Sequence, residues 1–119
     1  MDKLDAVAAL AALAQEHRLE VYRLLVKAGP EGMAAGEVAD ALAIAPNTLS
    51  FHFDRLRHAG LVSVARQGRS LIYAARYETM NNLLGYLTEN CCGGKPELCA
   101  PAACPPAKSS RNRKRETVR

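Results

Sequence analysis

The stretch that decides the fold runs from residue 46 to residue 76 and reads PNTLSFHFDRLRHAGLVSVARQGRSLIYAAR. It begins with Pro46, which suits the first turn of a helix because the N–H that proline lacks is not needed there. Apolar side chains then recur at helical spacing and share one face: Leu49, Phe53 and Leu56. The sequence therefore predicts a helix that ends near His58 and has a buried stripe opposite a polar face.

The second half of this stretch predicts a β-hairpin. Residues 61–65 and 70–74 alternate in the manner of strands, and Gln67-Gly68 between them supplies a turn. Ala59-Gly60 ends the preceding helix. From residue 53 onward the stretch carries one acidic residue, Asp54, against five arginines: Arg55, Arg57, Arg66, Arg69 and Arg76. A hairpin with a basic rim is expected to follow the helix.

Four further helices are predicted on either side. Apolar residues mark the first two, before Gly29-Pro30: Leu4, Val7, Ala8, Ala11 and Ala12, then Leu19, Tyr22, Leu25 and Val26. A short third helix spans Met33–Leu42, and a fifth, ending around Asn90, is marked by Met80, Leu83, Leu84 and Leu87. This order of elements predicts a mainly α (α+β) fold, a winged helix-turn-helix of five helices and one β-hairpin wing.

The composition allows one domain and a tail. The chain has 119 residues, 49% of them hydrophobic, and a net charge of +4. Residues 108–119 hold six basic and one acidic residue, whereas residues 1–107 hold ten and eleven, so the overall basicity belongs to the tail. Asp2 and Asp5 replace the positive start of a signal sequence, and no apolar span reaches membrane length. We expect a cytoplasmic protein without membrane contact.

Four segments carry a resemblance to a known family: LAQEHRLEVYRLL (13–25), LSFHFDRL (49–56), AGLV (59–62) and RQGR (66–69). Together they resemble the ArsR/SmtB family of bacterial metal-responsive repressors, over roughly residues 4 to 87. The resemblance implies a homodimer built largely from the first and last helices. Each protomer would place one recognition helix in successive major grooves of double-stranded operator DNA, about 34 Å apart. Residues 1–90 would then form the DNA-binding and dimerisation domain, and residues 91–119 a sensor segment with a flexible basic tail.

On this resemblance the candidate DNA-binding residues are Asn47, Thr48, Ser50, Phe51, His52, Arg55, Arg66 and Arg69. Small amides and hydroxyls at Asn47, Thr48 and Ser50 suit base edges, while the arginines suit phosphate or the minor groove. Each residue also has a structural interpretation. Thr48 and Ser50 can cap or back-bond the helix, and surface arginines are usually only solvated. His52, beside the core stripe, can equally make a structural hydrogen bond.

The cysteines are the candidate sensor. The third helix lacks the family's common cysteine pair, and the last helix lacks its zinc-binding histidines. Cys91 and Cys92 directly follow the last helix, and six residues separate Cys92 from Cys99. This arrangement resembles the arsenite-responsive subgroup, and As(III) is a soft ion that prefers three sulfur ligands. Sb(III) has similar chemistry and is an alternative inducer. If Cys104 joins the three other thiols, the resulting four-sulfur site would suit Zn, Cd or Pb instead. Thiol oxidation, or a tail without a role, also stays open.

The resemblance implies a transcriptional repressor that As(III) releases from operator DNA. Two other classes of function compete with it. A thiol-based arsenate reductase needs a phosphate-like cradle with an arginine nearby, whereas Cys92 is followed only by Gly-Gly-Lys-Pro. We therefore predict no enzymatic activity and no organic cofactor. A winged-helix module that binds only proteins predicts no sequence-specific affinity for DNA, which a salt-dependent binding assay tests.

Overall fold

The computed structural model describes residues 1–94, which form five helices and a three-stranded antiparallel sheet. The elements in chain order are α1 (Lys3–Leu13), α2 (Glu16–Ala28), β1 (Met33–Ala34), α3 (Ala35–Leu42), α4 (Pro46–His58), β2 (Val62–Gln67), β3 (Ser70–Ala75) and α5 (Tyr77–Leu87). A 3-10 turn, Cys91–Gly94, follows α5 and belongs to a second unit that begins at Asn90. The predicted mainly α winged helix-turn-helix is confirmed.

Polar side chains fix where the first two helices begin. The Asp2 carboxylate accepts a hydrogen bond from the Asp5 N–H at 2.8 Å, and the Gln15 side-chain oxygen accepts one from the Arg18 N–H at 3.0 Å. These bonds satisfy N–H groups that have no partner within the helix. Gly29 then ends α2 with a φ of +89°, which a residue with a side chain rarely adopts.

The third helix begins later than the sequence predicts, because a short strand precedes it. Met33 and Ala34 pair with Tyr73 and Ile72 of β3, so the sheet order is β1-β3-β2. Gly32 makes this approach possible: its φ is +76°, and a Cβ there would overlap the carbonyl oxygen of Tyr73. Met33 and Ala34, which the sequence pattern assigns to a helix, therefore form a strand because they pair with β3, about forty positions away.

Two other boundaries differ from the prediction. Gln67 is still in β2 and pairs with Ser70, so the hairpin turn is Gly68-Arg69 rather than Gln67-Gly68. Gly68 has a φ of +62°, as a two-residue hairpin with glycine in the first turn position requires. Helix α5 ends at Leu87, three residues before the predicted Asn90.

The core lies between α2, α3, α4 and the hairpin. The largest side chains that are fully buried come from these elements and the segments joining them: Val21, Leu25, Val38, Leu49, Phe53, Leu56, Leu61 and Val62. Helix α5 is joined to α2 where it begins, because the Tyr77 hydroxyl donates a hydrogen bond to the Val26 carbonyl at 3.0 Å. Helix α4 and the hairpin are thus built on a closely packed base.

Helix α1 has apolar residues on two faces. Its buried residues are small, namely Ala6, Ala9 and Ala12, whereas its large apolar residues are exposed: Leu4 at 78%, Val7 at 55% and Leu10 at 43%. Helix α5, which contacts α1, exposes Leu84 and Leu87 in the same way. We call these five exposed residues the α1–α5 apolar surface. Within residues 1–94, no helix is long and apolar enough to cross a membrane.

Candidate nucleic-acid interface

Helix α4 has the predicted bounds, Pro46–His58. Its N-cap, Ala45, offers no side-chain hydrogen bond, so the start is set by Pro46 in the first turn. The last turn carries Arg55, Arg57 and His58, and basic groups there interact favourably with the partial negative charge at a helix C-terminus. Local sequence alone therefore favours this helix.

The buried face of α4 fixes the helix to the wing. Leu49, Phe53 and Leu56 are at most 2% exposed, as predicted. The Phe53 ring stacks on Tyr73 of β3, with centroids 3.7 Å apart and planes 1° from parallel. Aromatic stacking adds to the area that both rings bury. As a result, α4 and the hairpin are held in one relative orientation.

The outward face of α4 carries five of the predicted DNA-binding residues, all exposed: Asn47, Thr48, Ser50, Phe51 and Arg55. In the described part of the chain, the Thr48 and Ser50 hydroxyls make no hydrogen bond to the helix or its neighbours. Capping and back-bonding therefore do not occupy them. Their hydrogen-bonding groups are available to a ligand on this face, and their contact with bases stays a prediction.

The wing carries the other two predicted residues. Arg66 lies in β2 and Arg69 in the hairpin turn, and both side chains are exposed. Within residues 1–94, neither guanidinium group forms an ion pair with a carboxylate. Two uncompensated positive charges at a hairpin tip suit contact with a phosphate backbone.

The one acidic residue of α4 is balanced by its neighbours on the helix. Asp54 Oδ1 lies 3.0 Å from Arg57 Nη2, and Asp54 Oδ2 lies 3.5 Å from His58 Nδ1. Exposed pairs of this kind contribute little to stability. The pair with Arg57 does, however, reduce the repulsion that Asp54 would otherwise exert on a polyanion.

His52 is the one candidate DNA-binding residue that is not on the outward face. It is 5% exposed, and its Nδ1 lies 3.5 Å from Arg18 Nη1. The Arg18 Nε also donates a hydrogen bond to the Ala12 carbonyl at 2.6 Å. The side chain of His52 thus connects α4 to α2, which is the structural role that the sequence left open, and its contact with DNA stays a prediction.

Comparison with known proteins places this geometry in a family. A model of the helix-turn-helix domain matches residues 13–65. YceK, an uncharacterized HTH-type transcriptional regulator of Bacillus subtilis, is 36% identical over 77 residues, which cover 64% of this chain and 76% of YceK. The chain belongs to the HTH-type transcriptional regulators. Regulators of this kind bind DNA through the helix-turn-helix, which makes α4 and the wing the candidate interface.

Solved structures place the regulator's fold in the ArsR-like winged helix-turn-helix type. An ArsR-like transcriptional regulator from Rhodococcus sp. RHA1 superposes with a TM-score of 0.67 at 24% identity, covering 80% of this chain and 87% of that chain. The homodimeric winged helix-turn-helix DNA-binding domain of Mb0332 from Mycobacterium bovis superposes with a TM-score of 0.59 at 23% identity, covering 77% and 86%. At these identities the likeness concerns the fold.

The regulator's predicted thiol site lies mostly beyond the described residues. Cys91–Gly94 form a 3-10 turn after α5, whereas Cys99 and Cys104 lie outside the part of the chain that the structure describes. Among residues 1–94, no three His, Cys, Asp or Glu side chains come close enough to hold a metal ion. The three-thiol site therefore stays a prediction.

Sequence reasoning missed the contact between Arg18 and His52. Arg18 is not near α4 in the sequence, and it contacts His52 across 34 positions. No local pattern points to this contact, because an arginine in the first turn of an amphipathic helix is ordinarily a solvated residue. The only available signal was the histidine beside the core stripe, which needed a polar partner.

The environment of His52 predicts how the regulator's stability depends on pH. Burial, then the positive charge of Arg18, then His17 lower the pKa of His52 below its ordinary value of 6.5. Below that value the unfolded chain binds the proton more readily than the folded one, so the free energy of unfolding falls with falling pH. Above it both states are neutral at this residue, and this contribution is flat. Urea unfolding from about pH 5 to pH 8 measures the trend.

The control for this prediction is another histidine on the same helix. His52→Gln should remove the part of the decline that begins below the ordinary histidine pKa, whereas His58→Gln, at an exposed position, should leave it in place. An unchanged pH profile in His52→Gln would contradict the prediction.

Proposed function

We propose that the regulator is a homodimeric transcriptional repressor that binds operator DNA and is released by trivalent arsenic. The observation that supports DNA binding most is the pairing of an exposed polar face on α4 with an arginine-tipped wing. Stacking of Phe53 on Tyr73 holds the two in a fixed relation. Such preorganisation lowers the conformational cost of binding.

The proposed contacts with operator DNA are of two kinds. Asn47, Thr48 and Ser50, in the first turns of α4, would meet base edges through amide and hydroxyl groups. The guanidinium groups would meet the backbone, Arg55 from the helix, and Arg66 and Arg69 from the wing. Base contacts would then determine which operator is chosen, while the arginines would set affinity and its salt dependence.

A homodimer is the assembly that the α1–α5 apolar surface fits. Leu4, Val7 and Leu10 of α1 and Leu84 and Leu87 of α5 are each at least 41% exposed, an arrangement typical of a surface that a partner covers. The related fold of Mb0332 is itself homodimeric. A two-fold dimer would present two α4 helices to successive major grooves.

The proposed inducer follows from thiol chemistry. Cys91, Cys92 and Cys99 offer three soft sulfur ligands, the number that As(III) prefers, and Sb(III) would be a close substitute. A divalent ion such as Cd, Pb or Zn would also recruit Cys104, since these ions accept four ligands. Oxidation of the neighbouring thiols is the remaining alternative.

The response to the inducer would pass through contacts within the folded domain. Cys91 follows the end of α5 by four residues, so ligation would act on the chain next to that helix. Helix α5 contacts α1, whose last turn accepts a hydrogen bond from Arg18, and Arg18 contacts His52 in α4. Coupling of about 1–3 kcal/mol is typical of such systems and corresponds to a change in operator affinity of about 5–150-fold.

Arsenite titration of the operator complex tests the inducer. With the reduced protein bound to a labelled operator, arsenite should lower affinity within the range of about 5–150-fold. Cys91→Ser, Cys92→Ser and Cys99→Ser should each abolish this response while leaving DNA binding without arsenite intact. Cys104→Ser is the comparison, because its thiol is needed only for four-sulfur coordination.

The same titration separates the alternatives. If the three serine variants each retain arsenite-induced release, the thiol assignment is wrong. A response to cadmium or zinc that requires Cys104, without one to arsenite, would identify a divalent-metal sensor. A response to a thiol oxidant alone would identify a redox sensor.

A further inference from the structure

Phe51 occupies the middle of the surface that α4 presents to solvent. At helical spacing it lies in line with Asn47, Asp54 and His58, opposite the buried stripe. Its side chain is 51% exposed, and it is the one large apolar residue of α4 that is exposed. An apolar group is therefore placed on an otherwise polar face, beside a depression that Arg18 and Arg55 also line.

The ring of Phe51 is held between two neighbours. The guanidinium carbon of Arg55 lies 4.9 Å from the ring centroid, within the range of a cation–π contact. The ring of His52, itself buried, meets it edge-on, with centroids 5.9 Å apart and planes at 60°. Because these contacts restrict the ring, little conformational freedom remains to be lost when its open side meets a ligand.

The chemistry of this surface points to one feature of DNA. In the major groove, the C5-methyl group of thymine is the apolar group that distinguishes one base from the others, and phenylalanine is a side chain that contacts it. Arg55 beside the ring forms no ion pair with a carboxylate of residues 1–94, and its positive charge favours a polyanion over an apolar protein partner.

We propose that Phe51 is a specificity-determining residue that contacts a thymine methyl group in each operator half-site. This inference rests on the proposed function, since it requires α4 to lie in the major groove. Arg55, stacked on the same ring, would be left to contact the phosphate backbone. Phe51 thus selects a base through shape and apolar contact, beside the hydrogen-bonding residues of the first turns.

The experiment removes only the C5-methyl group of thymine from the DNA and leaves the rest of the base unchanged. The wild-type protein first selects duplexes from a random library, and each thymine of the selected duplex is then replaced by uracil. For one thymine per half-site, we expect the wild type to lose about fourfold in affinity, the change that burial of one methyl group corresponds to. Phe51→Ala should bind the thymine and uracil duplexes equally, whereas Phe51→Leu, which stays apolar, should retain part of the preference.

A matched control lies outside the candidate interface. Leu19 is a large apolar residue of α2 that is 45% exposed, and Leu19→Ala shortens it. This variant should discriminate thymine from uracil as the wild type does. Circular dichroism verifies that each variant is folded, and the half-exposed position of Phe51 makes its replacement tolerable.

Different failures have different meanings. If every uracil duplex binds the wild type as the thymine duplex does, or if Phe51→Ala retains the preference, the inference is overturned while operator binding stands. The inference is also overturned, and operator binding still stands, if Phe51→Ala changes the self-association of the protein and leaves its preference for thymine unchanged. If the wild type enriches no sequence at all, the proposed function is overturned as well.

Discussion

Phe53→Ala is expected to lower the free energy of unfolding by about 3–5 kcal/mol. Phe53 is 2% exposed, and its ring stacks on Tyr73, so truncation removes both apolar burial and the contact between α4 and β3. Domains are typically stable by only about 5–15 kcal/mol, so the variant should be marginally folded. Operator binding should fall as well, because the helix and the wing lose their fixed relation. Urea unfolding followed by circular dichroism measures the change in stability.

The matched control is the same substitution two positions earlier on the same helix. Phe51→Ala removes an equal number of atoms from a ring that is 51% exposed, so its effect on stability should be within about 0.5 kcal/mol. Equal destabilisation by the two variants would show that Phe53 does not join α4 to the wing as the structure indicates.

Two charges on the α1–α5 apolar surface are expected to abolish dimerisation. Leu4→Glu with Val7→Glu would place two carboxylates where the proposed partner subunit packs, and burial of an unpaired charge is strongly unfavourable. In a folded monomer the same side chains stay exposed. Since a monomer contacts one half-site only, operator affinity should fall by about 10²–10⁴-fold. Sedimentation velocity and a DNA titration measure the two effects.

Leu19→Glu supplies the control for this prediction. Leu19 is 45% exposed on α2, so the substitution adds a charge at a comparably exposed apolar position outside the α1–α5 apolar surface. We expect it to leave both the association state and operator affinity unchanged. If the double variant still forms a dimer and binds DNA like the wild type, the α1–α5 apolar surface is not the dimer interface.

The elements that the sequence predicted correctly are those that local patterns determine. Helix α4 has a proline in its first turn and an apolar stripe over two turns, and both of its ends match. The strand β1 was missed because two residues have no periodicity of their own. Met33 and Ala34 are extended because β3 pairs with them, and a sequence window around them does not contain that partner.

In the candidate site, too, some features follow from local sequence patterns and others depend on residues that are distant in the sequence. Exposed positions on α4 and the wing follow from helical geometry and turn placement, so seven of the eight predicted DNA-binding residues are exposed. His52 is the exception, because its burial depends on Arg18, which the chain brings in from α2. Likewise, periodicity does not distinguish the buried alanines of α1 from its exposed leucines. The thiols at Cys99 and Cys104 lie outside the described residues, so the three-sulfur site stays a prediction.

The most direct test of the central claim is a fluorescence anisotropy titration with two duplexes, one from the promoter of the regulator's own gene and one of the same composition in shuffled order. The account predicts that the promoter duplex binds tighter by about 10³-fold or more at physiological salt. The logarithm of the affinity should fall linearly with the logarithm of the salt concentration, because the arginines release counterions from phosphates. Equal affinity for the two duplexes, or no binding to either, would contradict a sequence-specific role for α4 and the wing.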